Sequence, residues 1–161
     1  MRKKVYEHRA AGGPMDASHY QILFESYLKY DKRNQAVGLL DKKPDPKLLE
    51  ALDECLATVR GPKGAKFLKG TGKAGWSRLG VLTALAEVCR FLGRYADACD
   101  MFERARKTLG LTGSSTVSYM RAAVRTKDRD TLELALKAFE KVKNEAFAHK
   151  REYEKNKALV K

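Results

Sequence analysis

Three cysteines, three histidines and one glycine- and lysine-bearing loop are the groups in this chain whose types and spacing could do chemistry. Cys55, Cys89 and Cys99 are odd in number, widely spaced and set in apolar helical patterns, which points to buried free thiols in a reducing compartment. Cys89 and Cys99 could approach one another across a helix pair, but nothing nearby suggests an activated thiolate. His8, His19 and His149 have no cysteine or acid at metal-ligand spacing. The run "GTGKAG" at 70–75 fails as a phosphate-binding P-loop. Phe67 stands where the first glycine belongs, Ala74 stands where a serine or threonine must follow Lys73, and no strand precedes it. Acids are scattered along solvent faces with no pair that reads as acid and base. The expectation is a non-enzyme, with no metal, no cofactor and no small-molecule substrate.

What remains is charge. The segment 60–78, "RGPKGAKFLKGTGKAGWSR", holds Arg60, Lys63, Lys66, Lys69, Lys73 and Arg78, and no acid occurs between Glu54 and Glu87. The chain as a whole carries 33 basic and 20 acidic residues, a formal net charge of +13. The excess is gathered in three places: 1–15 has four basic residues to one acid, 60–86 has six to none, and 137–161 has eight to four. Charge collected into two ends and one loop fits a polyanionic partner better than a general solubility role. Lysines every three or four residues on a flexible loop can track a phosphate backbone, and glycine permits close approach. Trp76 suits either a base-stacking platform or a core anchor where the chain re-enters the fold, the anchor being favoured.

These residues must be positioned by helices, because almost every segment has helical periodicity and no strand pattern is evident. Helices are expected over 18–30, 33–42, from Pro46 to the basic loop, from an N-cap at Ser77 to Leu92, over 95–109, from Ser114 or Ser115 to about Lys127, and from Asp130 onward in capping-box spacing with Glu133. "KKPDP" at 42–46 is a break. The organisation expected is a basic N-terminal arm (1–16), a helical-repeat domain (17–142) holding the basic loop (60–76), and a projecting helix end (143–161). The opening "MRKKVYEHRAAG" suits either a retained basic arm or part of an organelle-targeting segment, and no apolar run approaches membrane-spanning length.

Three helix pairs superpose without gaps. Tyr20 stands sixteen residues before Ala36 with Leu40 four further on; Leu82 before Ala98 and Phe102; Tyr119 before Ala135 and Phe139. A small residue on the second helix lets the first approach, and the large one a turn later fills the groove between pairs. The middle copy is the clearest, "LGRYADACDMFERA" placing small residues at Ala86, Ala98 and Ala105 and large ones at Leu85 and Phe102. This pattern resembles the tetratricopeptide and pentatricopeptide helical-repeat superfamily, the last copy, 117–142, being more like the pentatricopeptide form. The resemblance covers about half the chain. It implies an all-α fold of antiparallel helix pairs stacked as a short, irregular α-solenoid, with a basic glycine-rich loop and a long C-terminal helix. It also implies a protein-docking surface. Base-by-base RNA reading carries over poorly, since three imperfect copies are too few and the matching polar edge offers only Gln21 and Arg121.

The function expected is therefore structural: a component of a ribonucleoprotein, with a mitochondrial or other organellar ribosome the best host, binding rRNA and neighbouring proteins. RNA contacts are expected from Arg60, Lys63, Lys66, Lys69, Lys73 and Arg78, from Arg2, Lys3, Lys4 and Arg9, and from Lys143, Lys150, Arg151, Lys155 and Lys157 of the last helix. The alternative from another class is a tetratricopeptide-like adaptor, or an accessory subunit of a large, membrane-bound assembly. A free RNA-processing factor is a third, and the compartment expected is a mitochondrion or other organelle, otherwise the cytoplasm. Loop 60–76 is expected to order on a partner.

Overall fold

The chain is described here by a computed structural model covering residues 1–31, 44–69 and 78–159. The expected helix at 33–42, with Ala36 and Leu40, and the part of the basic loop with Lys73 and Trp76 lie outside these residues.

The described fold is all-α, with no strand among the described residues: α1 (Arg2–Ala10), α2 (Ala17–Ser26) running into a π-helical turn (Tyr27–Asp31), α3 (Pro46–Arg60), α4 (Gly64–Lys69), α5 (Arg78–Phe91), α6 (Tyr95–Leu109), α7 (Gly113–Thr126) and α8 (Arg129–Leu159). Local chemistry sets the starts. Asp16 accepts from the Ser18 and His19 amides while His19 Nδ1 accepts from the Asp16 amide, a reciprocal cap on α2. Asp45 caps α3, with Pro46 at its first position. Two expected caps are displaced: Thr112, not Ser114 or Ser115, caps α7 by accepting from the Ser115 amide, and Asp128, not Asp130, accepts from the Thr131 amide at the head of α8. At the α5–α6 turn Gly93 has φ +78°, and the Arg94 amide donates back to the Cys89 carbonyl, closing α5 in a left-handed glycine cap.

The helices pack in chain order. α5 lies against α6, α6 against α7, and α7 against α8, while the first helices of successive pairs also touch, α2 on α5 and α5 on α7. Such stacking is compatible with a helical-repeat fold. Leu82, Ala86, Ala98, Phe102, Ala105, Tyr119 and Ala135 are all buried, as is Tyr20 in the first copy. The Phe102 and Tyr119 rings stack between pairs, 5.7 Å apart. Among the described packing positions Phe139 is the exception, being 38% exposed.

Two segments differ from the sequence expectation. The basic N-terminal arm is helical over 2–10, where no helix is expected. It forms a helix that buries Val5 against the body, and His8 stacks on His19 at 4.9 Å to fasten the corner. The first part of the glycine-rich loop is likewise helical, as α4, because Phe67 packs edge-on against Tyr20 at 5.9 Å and draws the chain inward. Gly64 makes the α3–α4 corner possible. A Cβ there would lie 2.2 Å from the Val59 carbonyl oxygen, a backbone atom that cannot swing aside.

Replacing Gly64 by alanine should therefore destabilise the fold by about 2 kcal/mol, whereas Gly113→Ala, with open space around it, should stay within about 0.5 kcal/mol of the parent in urea unfolding.

Candidate nucleic-acid interface

Basic side chains here fall into two sets, according to whether an acid of the same chain holds them. Arg9, on α1, donates to Glu50 and Glu54 of α3, its closest contact being 2.6 Å to Glu54 Oε1. Glu54 also accepts from the Tyr20 hydroxyl at 3.2 Å, so one carboxylate joins three helices. Arg60, the last residue of α3, donates to Asp97 and Asp100 of α6 at 2.7 and 2.8 Å. Arg94, at the α5–α6 turn, reaches Asp53 and Asp97. Arg104 pairs with Asp100, and Arg106 with Glu103, which in turn accepts from Tyr119. Burial alone would raise the Asp97 carboxyl, but the hydrogen bonds from Arg60 and Arg94 outweigh it and hold Asp97 below the usual carboxylate range. The hydrogen bonds from Arg9 do the same for Glu54 against its partial burial.

Arg9 and Arg60 belonged to the expected RNA-contacting set. Both are committed within the chain, where they tie α1 to α3 and α3 to α6. Lys3 lies 3.8 Å from Glu7 on α1, and Arg2 is half-buried beside exposed Lys4.

The second set faces water. Lys63, Lys66 and Lys69 are exposed, one per turn through the α3–α4 corner, and none is in an ion pair with another described residue. Phe67 and Leu68 point the opposite way and pack on the core, so the corner has an apolar underside and a lysine ridge. Arg78 is the first residue of α5, so the two helical edges of the expected loop are both placed. Lys143, Lys150 and Arg151 are exposed on the outer half of α8, a helix of 31 residues and about 46 Å at 1.5 Å per residue; its backbone carries Lys155 and Lys157 further out.

Sequence reasoning missed a further basic group. Arg90 and Phe91 of α5, Tyr95 of α6, and Arg121, Val124 and Arg125 of α7 line a cleft of about 530 Å³. Arg121 and Arg125 are exposed one helical turn apart, while Arg90 is held by Glu87 at 2.8 Å. Arginines beside a tyrosine and a phenylalanine are the groups that grip phosphates and stack on bases. The i, i+4 arginines of α7 were the available signal, but their convergence with α5 is tertiary. Gln21, by contrast, is buried rather than presented: it donates to Glu25 and lies where a Cβ on Gly80 would sit, marking the α2–α5 crossing.

The three thiols are free and buried. Burial pushes Cys89 up to about 12 and Cys99 up to about 11, so thiolates are disfavoured. Among the described residues no group of three His, Cys, Asp or Glu side chains could hold a metal ion, and no helix is long and apolar enough to cross a membrane. Comparison with known protein families, with curated proteins and with solved structures finds no match.

The carboxylates held low by arginine contribute stability that is present above their unfolded pKa of about 4 and is lost as pH falls through the folded values. Melting should be steady from pH 8 to about 5 and decline below about 4. Asp97→Asn should cost about 1 kcal/mol at pH 7 and flatten part of that acid limb, measured by thermal unfolding across pH.

Proposed function

We propose that this chain is a non-catalytic, structural component of a ribonucleoprotein, a short and divergent tetratricopeptide/pentatricopeptide-like repeat body that binds RNA through phosphates and shape. An organellar ribosome is the assembly that suits it best. The observation that supports this reading is the partition of charge. Glu50, Asp53, Glu54, Asp97, Asp100 and Glu103 are engaged by Arg9, Arg60, Arg94, Arg104 and Arg106, while Lys63, Lys66, Lys69, Arg121 and Arg125 make no ion pair with another described residue on the surface. Solubility alone would be served by interspersed charge; uncompensated ridges draw a polyanion. The lysine ridge meets a backbone without reading bases, and the arginine–aromatic cleft has room for an unpaired nucleotide.

Binding of the purified chain to a structured RNA fragment, titrated over salt, tests the reading. Replacing Lys63, Lys66 and Lys69 together by alanine should flatten the slope of log K against log salt by about 2, with the melting curve unchanged. Arg60→Ala should do the reverse, lowering thermal stability while leaving the slope alone. In cell lysate the chain should co-migrate with a ribosomal subunit on a sucrose gradient and leave it at high salt. Migration as a small complex insensitive to ribonuclease would refute the ribonucleoprotein role and favour a protein-docking adaptor.

A further inference from the structure

The cleft between α5, α6 and α7 combines cations with flat apolar surface. Arg121, Val124 and Arg125 stand at i, i+3 and i+4 on α7 and so share one helix face. All three are exposed, Val124 by 59%, and neither arginine is in an ion pair with another described residue. From α5 and α6 come two half-buried rings, Phe91 and Tyr95. Phe91 is fixed edge-on against Tyr27 at 6.0 Å, and Tyr95 packs on the core where α6 leaves the turn at Gly93. The third arginine, Arg90, is held by Glu87 at 2.8 Å, and no acid is among the described lining residues. The volume of about 530 Å³ falls in the range of roughly 300–1,000 Å³ that suits small organic groups. Arg121 and Arg125 are one turn apart, about 6 Å at 1.5 Å per residue, which is comparable with the step between successive phosphates of an extended strand.

We propose that this cleft takes one looped-out nucleotide of a bound RNA, its base laid on the Tyr95 ring and against Val124, its two flanking phosphates on Arg121 and Arg125. The inference rests on the RNA-binding reading and deepens it: the lysine ridge meets any backbone, whereas the cleft selects an unpaired position. Duplex RNA is unsuited to the cleft, because its bases are stacked and paired inside the helix; a bulge or loop offers a free base face. A nucleic-acid strand also fits the lining better than an acidic peptide does. Carboxylates would pair with the arginines but bring no planar group to the tyrosine, whereas a strand carries a phosphate and a flat base in every unit. Stacking tolerates every base, so the discrimination is between unpaired and paired nucleotides rather than among sequences.

The test titrates the full chain with two RNA hairpins, alike except that one bears a single bulged nucleotide, a fluorescent purine analogue. The bulged hairpin should bind about tenfold more tightly than the paired one, and the analogue should lose fluorescence as it stacks. Tyr95→Ala should abolish both the preference and the quenching while leaving affinity for the paired hairpin unchanged, and Tyr95→Phe should restore both. A double variant, Arg121→Gln with Arg125→Gln, changes only exposed positions and should melt like the parent. It should reduce the salt slope by about 1.5 for the bulged hairpin alone. The Lys63, Lys66 and Lys69 triple alanine variant should weaken both hairpins and keep their ratio. Equal binding of the two hairpins, or a preference that survives both Tyr95→Ala and the arginine double variant, would overturn the cleft assignment and leave the RNA reading standing. Binding of neither hairpin would overturn both. A glutamate-rich peptide bound more tightly than the bulged hairpin, with the same dependence on Arg121 and Arg125, would overturn the proposal in favour of an acidic protein partner.

Discussion

Close approach of helices at alanine is the constraint on which the rest of this fold depends. Ala86 and Ala98 across α5 and α6, and Ala123 and Ala135 across α7 and α8, are essentially without solvent contact. A methyl group at such a crossing lets two backbones approach until the larger side chains on either side interlock. Leu82, Phe102 and Tyr119 then fill the grooves between pairs. Any larger residue at the alanines would push the pair apart, and the aromatic stack between pairs would be lost with it. Position of the arginine cleft follows from the same packing, since it lies where α5, the start of α6 and α7 converge.

Long-range ion pairs solve a second problem, that of α3. It has no direct partner helix among the described residues in the manner of α5–α6 and α7–α8. Its inner face is apolar and buries Leu48, Leu52, Cys55, Leu56 and Val59. Its outer edges are held by arginines from either side: Arg9 on Glu50 and Glu54, Arg94 on Asp53, and Arg60 reaching across to α6. Singly, half-exposed pairs add little, but linked bidentate pairs that share acids fix orientation as well as energy. Tethering α3 at Arg60 fixes where the chain turns at Gly64, and so where the lysine ridge points. The structural arginines and the available lysines are in this way one arrangement: the first set is tied to acids of α3 and α6, and the corner they hold presents Lys63, Lys66 and Lys69 to water.

How much of this was legible in the sequence depends on the range of each interaction. The bounds of α6 and the start of α3 were, because a Gly-Arg turn, a proline at the first helical position and an aspartate cap are signals within a few residues. Burial of Leu82, Ala98, Phe102, Tyr119 and Ala135 was legible too, from their shared spacing, whereas Phe139 at the same spacing stands open. Caps at Thr112 and Asp128 were missed by two or three residues, several hydroxyls and carboxylates nearby being equally suited by type. Helix α1 was missed because its apolar content is slight, and what orders it is tertiary: Val5 in the core, His8 on His19, Arg9 on α3. For the candidate site the limit is sharper. Arg9 and Arg60 look no different in sequence from Lys63 or Lys66. Their acids lie 37 to 45 residues away, a separation that no local pattern encodes. The same holds for Arg90 with Arg121 and Arg125, which become neighbours only when α5 and α7 pack.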